Sequence, residues 1–126
     1  MRYLLDTTLV VDHAHGFPPA VALLKKLYED GGELFTCDVV TCEALSGGTD
    51  DHLAAVSAVL QPLEFVATSP EAARWAGASR LARHRADGKL GLGDALIAGV
   101  AISLGATLVT RNRADFERQG VSVLSY

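Results

Sequence analysis

Short apolar runs alternate with helix-forming segments along this chain, which both begins and finishes on an apolar run. Runs this short, each separated from the next by a helix, suit strands of a parallel sheet, because crossover helices cover such a sheet on both faces. Arg2–Leu5 reads as a strand ending at Asp6, with a helix over Thr8–His15 behind it. Gly16 and Phe17-Pro18-Pro19 break the chain and open a helix to about Asp30, with Val21, Leu24, Leu27 and Tyr28 on one face. Leu34–Cys37 is the second strand, and Asp38 is the expected N-cap of a helix through Ala44 and Leu45 that Gly47-Gly48 terminates. Asp50 or Asp51 is expected to cap a helix over Leu53–Leu60, before a third strand over Leu63–Ala67. Ser69-Pro70-Glu71 is an N-cap followed by proline at the first helical position, and it opens a long helix to about Ala86. After a loop over Asp87–Gly93, the helix Asp94–Leu104 carries no polar residue between Ala95 and Ile102, which predicts burial nearly all round. Thr107–Thr110 and Val121–Leu124 supply the last two strands. The whole predicts an α/β sandwich on a parallel sheet.

At 126 residues the chain has the length expected of a single domain, and 49% apolar residues exclude a disordered protein. The net charge of −4 excludes a polycationic coat for nucleic acid. That average conceals a dipolar sequence. Residues 1–73 hold three basic and eleven acidic groups, a net of −8, whereas residues 74–126 hold eight basic and four acidic, a net of +4. Two cysteines, Cys37 and Cys42, match neither a zinc site nor a disulfide framework and read as small buried hydrophobes in a reducing compartment. The N-terminal stretch has an aspartate inside its apolar run, so it does not read as a signal peptide. The most apolar window, Ala95 to Val109, contains Ser103 and Thr107 and falls short of a bilayer span. A cytoplasmic protein without membrane contact is the expectation.

In an open parallel sheet, ligands sit beyond the carboxyl ends of the strands, and the question is which polar groups arrive there. Asp6 follows the first strand, Glu43 lies in the helix after the second, Asp94 begins the most apolar helix, and Asp115 lies shortly after the fourth strand. Each also has a purely structural explanation. Asp94 suits the positive end of its helix, Asp115 suits a turn or cap, and Glu43 suits exposure on the far side of its helix. Asp6, at the end of a central strand, is the hardest to explain that way. Gathered at one edge, four carboxylates repel one another and raise each other's pKa unless a cation offsets them. A hard divalent ion such as Mg²⁺ takes oxygen ligands from few carboxylates and keeps open positions. The reaction class this points to is metal-dependent phosphodiester hydrolysis.

Four ordered segments carry a family resemblance: Leu4-Leu-Asp6-Thr-Thr8, Thr41-Cys-Glu43-Ala-Leu-Ser-Gly47, Gly93-Asp94-Ala-Leu-Ile-Ala98, and Gly105 through Thr110-Arg-Asn112-Arg-Ala-Asp115-Phe116. Together they resemble the motifs of PIN-domain ribonucleases, specifically the small VapC-type toxins. The resemblance implies a PIN-like three-layer α/β/α sandwich with a central parallel sheet of about five short strands. It further implies Asp6, Glu43, Asp94 and Asp115 as the acids around Mg²⁺ or Mn²⁺, an RNA substrate, a cognate antitoxin that blocks the site, and a homodimer within a toxin–antitoxin hetero-oligomer. By the same matching, Thr8 stands at a Ser/Thr position near the metal and Asn112 at the polar position before the last acid. Some PIN domains have an aspartate at the Asn112 position; the amide carries no charge, so the fourth acidic role rests on Asp115, directly or through water. Lys89–Gly93 lacks the further acid of some relatives, which leaves open one metal or two.

Arg80, Arg83 and His84 fall on one helical face, either a solvated surface or an RNA-facing one, and Arg111 and Arg113 lie near the acidic edge as further RNA contacts. Leu23, Leu24, Leu27 and Phe17 serve either as core or as a groove for an antitoxin helix. His13 and His15 lack a third ligand at useful spacing, and Gly88-x-x-Gly91-x-Gly93 follows a helix where a dinucleotide fingerprint follows a strand. A catalytically silent module that sequesters an antitoxin is the competing function. A receiver or phosphatase-like domain needs a second aspartate beside Asp6 or a late lysine, and the sequence has neither.

Overall fold

Leu4 and Leu5 are neighbours in one strand, so they point to opposite faces, and both are fully buried. A strand of this kind needs cover above and below. The computed structural model describes residues 1–126 and supplies that cover. In chain order the elements are β1 (Arg2–Leu5), α1 (Thr7–Ala14), α2 (Pro18–Glu29), β2 (Glu33–Cys37), α3 (Asp38–Ala44), α4 (Asp50–Leu60), β3 (Glu64–Val66), α5 (Pro70–Arg85), α6 (Leu92–Leu104), β4 (Thr107–Val109), α7 (Arg113–Glu117) and β5 (Val123–Leu124).

The sheet is five-stranded, all parallel, in the order β3-β2-β1-β4-β5. Right-handed crossovers place α1 to α4 on one face and α5, α6 and α7 on the other, because the chain runs outward from β1 in one direction and then returns to the other side of it. α1 packs against α2, α3 and α4, and α5 packs along α6. The result is the three-layer α/β/α sandwich. Leu4, Leu5, Leu9, Ile97, Leu108 and Phe116 are among its largest fully buried side chains, each worth about 1.5–3 kcal/mol of burial. α6 is buried along Ala95 and Ile97 to Ala101, while Ile102 is exposed. It ends at Gly105, whose φ of 66° is the left-handed conformation of a helix C-cap.

Several local expectations are corrected. Thr49, not Asp50 or Asp51, caps α4, its hydroxyl accepting the His52 N–H at 3.2 Å, and both aspartates fall inside the first turn. Asp38 is the first residue of α3 and not its cap. Its Oδ1 accepts the Thr68 N–H (3.1 Å), the Thr68 hydroxyl (2.7 Å) and the Val39 N–H (3.1 Å), tying α3 to the turn after β3. These bonds outweigh its partial burial and hold the Asp38 carboxyl below its ordinary range. Cys37 is buried as expected, with a thiol pushed up to about 11 by burial, but Cys42 is exposed. Val21 and Tyr28 are also exposed, leaving Ala20, Leu24 and Leu27 as the buried face of α2. α6 starts at Leu92, so the preceding loop is shorter than the sequence suggests, and α7 is an additional short helix.

β1 is the switch point of this topology. Its two neighbours, β2 and β4, belong to halves of the chain that proceed in opposite directions. In open α/β sheets the crevice beyond the carboxyl ends of such a pair is where ligands bind. Asp6 and Thr110 are the first residues past β1 and β4.

Candidate active site

Asp6 leaves β1 with its N–H on the Val109 carbonyl at 3.0 Å, so its position is set by the sheet itself. It is 3% exposed. Its Oδ2 accepts the Thr110 hydroxyl at 2.7 Å and the Thr8 hydroxyl at 3.0 Å. Both hydroxyls are oriented from behind: the Asn112 N–H donates to Thr110 Oγ1 at 3.0 Å and the Arg111 N–H to Thr8 Oγ1 at 3.2 Å. Burial raises the Asp6 carboxyl above its ordinary value although the Thr110 and Thr8 hydroxyls and the Thr7 and Thr8 amides oppose that rise. Thr8 thus sits against Asp6, whereas Asn112 reaches this network through its backbone and its side chain makes no hydrogen bond.

Glu43 projects from α3, and its Oε1 accepts the Thr7 hydroxyl from the start of α1 at 2.7 Å. Its other oxygen faces Gly93 in the first turn of α6, where an added Cβ would lie only 2.5 Å from Oε2. Asp94 is next in that turn and half-buried. Burial first, and then the charges of Asp6, Glu43 and Asp115, push its carboxyl above the ordinary value. Asp115, in α7, is the outermost of the four and pairs with Arg118 at 3.8 Å.

No lysine or arginine forms an ion pair with Asp6, Glu43 or Asp94. As they stand, no three acids are gathered tightly enough to grip one ion. The donor set nevertheless suits a hard divalent cation. It consists of carboxylate oxygens, and the Asp94 carboxyl, raised by burial and then by the charges of Asp6, Glu43 and Asp115, has no lysine or arginine paired with it. The basic residues are differently disposed. Arg113 pairs with Glu117 at 2.6 Å, Arg80 donates to the Leu90 carbonyl at 3.1 Å, and the stem of Arg83 packs over Gly88. Arg111 pairs with Asp12 at 3.6 Å. Asp12 also accepts the Tyr126 hydroxyl at 2.7 Å, and burial together with that carboxylate raises the Tyr126 phenol.

Sequence reasoning reached Thr8 but not Thr7, Thr110, Asp12 or Tyr126. The available signals were a hydroxyl directly after an apolar run, for Thr110, and an acid four residues beyond Thr8 in a helix with buried Leu9 and Val10, for Asp12.

Fold and site define a three-layer α/β/α protein with a buried aspartate, Asp6, at its topological switch point and Asp94 within electrostatic reach of Asp6, Glu43 and Asp115. The PIN domain family model matches residues 3–121. The chain is 36% identical over 115 residues to Ribonuclease VapC19 of Mycobacterium tuberculosis, covering 90% of each chain. It therefore belongs to the PIN-domain family, in its VapC group. The fold is also that of VapBC2 from Rickettsia felis, solved bound to a promoter DNA fragment, with a TM-score of 0.86, 24% identity and coverage of 100% and 99% of the two chains. A toxin–antitoxin complex from Klebsiella pneumoniae matches with a TM-score of 0.74, 23% identity and coverage of 90% and 89%.

Proposed function

We propose that this chain is the toxin of a toxin–antitoxin pair and an endoribonuclease that hydrolyses RNA phosphodiesters with Mg²⁺, or Mn²⁺ in its place, held by Asp6, Glu43, Asp94 and Asp115. The observation that carries this reading is geometric: Asp6 is buried at the switch point with no cation of the chain paired to it, to Glu43 or to Asp94, and the Asp94 carboxyl is raised by burial first and then by Asp6, Glu43 and Asp115. The ribonuclease relative at 36% identity supports the same reaction. When bound, the ion supplies Lewis acidity and positive charge where a phosphodiester develops negative charge.

The chain's own residues prepare that edge. Thr8 and Thr110 fix the Asp6 carboxylate, and the Thr7 hydroxyl fixes Glu43 by one oxygen, turning the other toward Gly93 to order water. Asp94, whose carboxyl feels the charges of Asp6, Glu43 and Asp115, and Asp115 itself complete the proposed set. In the hydrolysis, a water oxygen bonds to phosphorus, one ester P–O bond breaks, and the departing oxygen takes up a proton. Arg111 and Arg113 face the RNA phosphates flanking the cut, with Arg80 and Arg83 farther along the strand.

Two apolar surfaces fit the remaining partners. Val21, Leu24 and Tyr28 from α2 face Ala55, Ala58 and Val59 from α4 across a groove of about 600 Å³, which suits an antitoxin helix. Of the four residues expected there, only Leu24 borders this groove, as its floor, since it is buried in the core as Leu27 is; Phe17 and Leu23 do not line it. Beside Glu43 a second, open depression of about 360 Å³ is bordered by Val39, Leu92 and Leu96, and it suits a homodimer contact. The cytoplasm is the proposed location; no helix is long and apolar enough to cross a membrane.

The test is cleavage of bulk cellular RNA with Mg²⁺, with Mn²⁺ and with EDTA. Cleavage is expected with either metal, absent with EDTA, and abolished by Asp6→Asn or Asp94→Asn. Cleavage untouched by both substitutions overturns the site. RNA left intact under every condition, with antitoxin binding retained, makes the chain a sequestering module.

A further inference from the structure

Asp12 is an acid that the four-carboxylate site does not use, and it is nearly buried in α1 beside Leu9 and Val10. A charge in that position requires compensation. It has two partners on one oxygen, Oδ2: the Tyr126 hydroxyl at 2.7 Å and the Arg111 Nε at 3.6 Å. Thr8 and Asp12 are four residues apart and share one face of α1. Thr8 accepts the backbone N–H of Arg111, and Asp12 takes its side chain, so one helical face holds Arg111 at both ends. Thr8 donates in turn to Asp6, which places the Arg111 backbone two hydrogen bonds from the central carboxylate.

The other arginines near this edge are held differently. Arg113 and Arg118, at the start of α7 and just past its end, pair with the exposed Glu117 and Asp115 of that short helix, and such surface pairs impose little direction. The Arg111 side chain is 55% exposed while its acid partner is 12% exposed, so the guanidinium is anchored on its inner side and keeps N–H donors facing solvent.

We propose that Asp12 and Tyr126 are positioning residues that hold the Arg111 guanidinium at the lip of the carboxylate edge, where it grips a phosphate oxygen of RNA. The inference rests on the ribonuclease reading above. Tyr126 fixes the Asp12 carboxylate, Asp12 aims Arg111, and Arg111 alone touches the nucleic acid. A phosphate grip is independent of sequence, so it appears on any single strand.

The experiment is a thermodynamic cycle on the full chain carrying Asp94→Asn, in Mg²⁺. It reads fluorescence anisotropy of a fluorescein-labelled, mixed-sequence single-stranded RNA over a series of salt concentrations. Arg111→Ala is expected to weaken binding about tenfold and to reduce the salt slope by about one phosphate contact. Asp12→Asn and Tyr126→Phe are expected to weaken binding about threefold each, with no further loss once Arg111→Ala is present. Tyr126→Phe keeps the ring, so it answers the question even where Asp12→Asn disturbs folding. In the chain with Asp94 restored, Tyr126→Phe is expected to raise KM and spare kcat. Equal losses with and without Arg111 reduce Asp12 and Tyr126 to a structural clasp and overturn the proposal, as does a salt slope unmoved by Arg111→Ala or no binding at all. Intact bulk RNA alongside the expected binding cycle defeats the nuclease reading alone; cleavage alongside an additive cycle defeats only the positioning role.

Discussion

At the scale of single residues, Asp6 and Asp94 are acids that the fold holds at a cost. Thr110 offsets part of that cost for Asp6, its fully buried hydroxyl donating at 2.7 Å. Thr110→Val is expected to destabilise the chain by about 1–3 kcal/mol in urea unfolding, and to cut RNA cleavage sharply, while Thr110→Ser restores most of both. Asp94 is raised as Asp6 is, by burial first and then by the charges of Asp6, Glu43 and Asp115, and has no hydroxyl partner to offset the cost. The folded chain binds that proton more readily than the unfolded one. Stability from this group is therefore complete below the ordinary value of 3.8 and is lost as pH rises through the raised folded value. Asp94→Asn, inactive on RNA, is expected to melt with the wild type at low pH and several degrees above it near neutrality, with the gap narrowing when Mg²⁺ is added. Thermal scans of both proteins across pH check this. Asp6 stands out in the sequence because a carboxylate at the end of an apolar run is conspicuous, and the other three acids were singled out by the four ordered segments. Their partners were not: Thr110 is 104 positions from Asp6, and nothing local distinguishes it from other threonines.

At the scale of elements, the closest approach is between α5 and α6. A Cβ on Gly99 would overlap the Ala72 carbonyl of α5, and backbone cannot swing aside as a side chain can. Gly99→Ala is expected to cost about 1–3 kcal/mol in chemical denaturation, with cleavage rate per folded molecule little changed because the clash is distant from the acids. The β-strands and long helices were legible from their period and punctuation. Ser69-Pro70 opened α5 as read, with Ser69 accepting the Ala72 N–H at 3.1 Å. The boundary of α6 was not, since Leu92 and Gly93 look like loop until Glu43 is seen across from Gly93. α7 is a single short turn in a polar stretch, and a helix of that length owes its existence to Phe116, which inserts into the core.

At the scale of the whole molecule, an acidic first part and a basic second part fold into one sandwich with its carboxylates at the sheet edge. Discounting the four proposed ligands brings the formal charge to zero, so the apparent acidity is concentrated where a cation is proposed and leaves room for a polyanion elsewhere. Leu92, 58% exposed, borders the depression beside Glu43. If the proposed homodimer forms through this depression, wild type is expected to run as a dimer in light scattering and Leu92→Glu as a monomer. The sequence by itself determined the fold class, the strand and helix order and the acids worth watching, because hydrophobic period and terminal carboxylates are local properties. Only the tertiary structure decided which hydroxyls orient Asp6, that Glu43 meets Gly93, and that Asp12 faces Arg111 and Tyr126. Thr8 apart, those pairings join residues far apart in the chain, up to 114 positions for Tyr126 and Asp12, and they are set by strand order and crossover hand, which no local stretch of residues encodes.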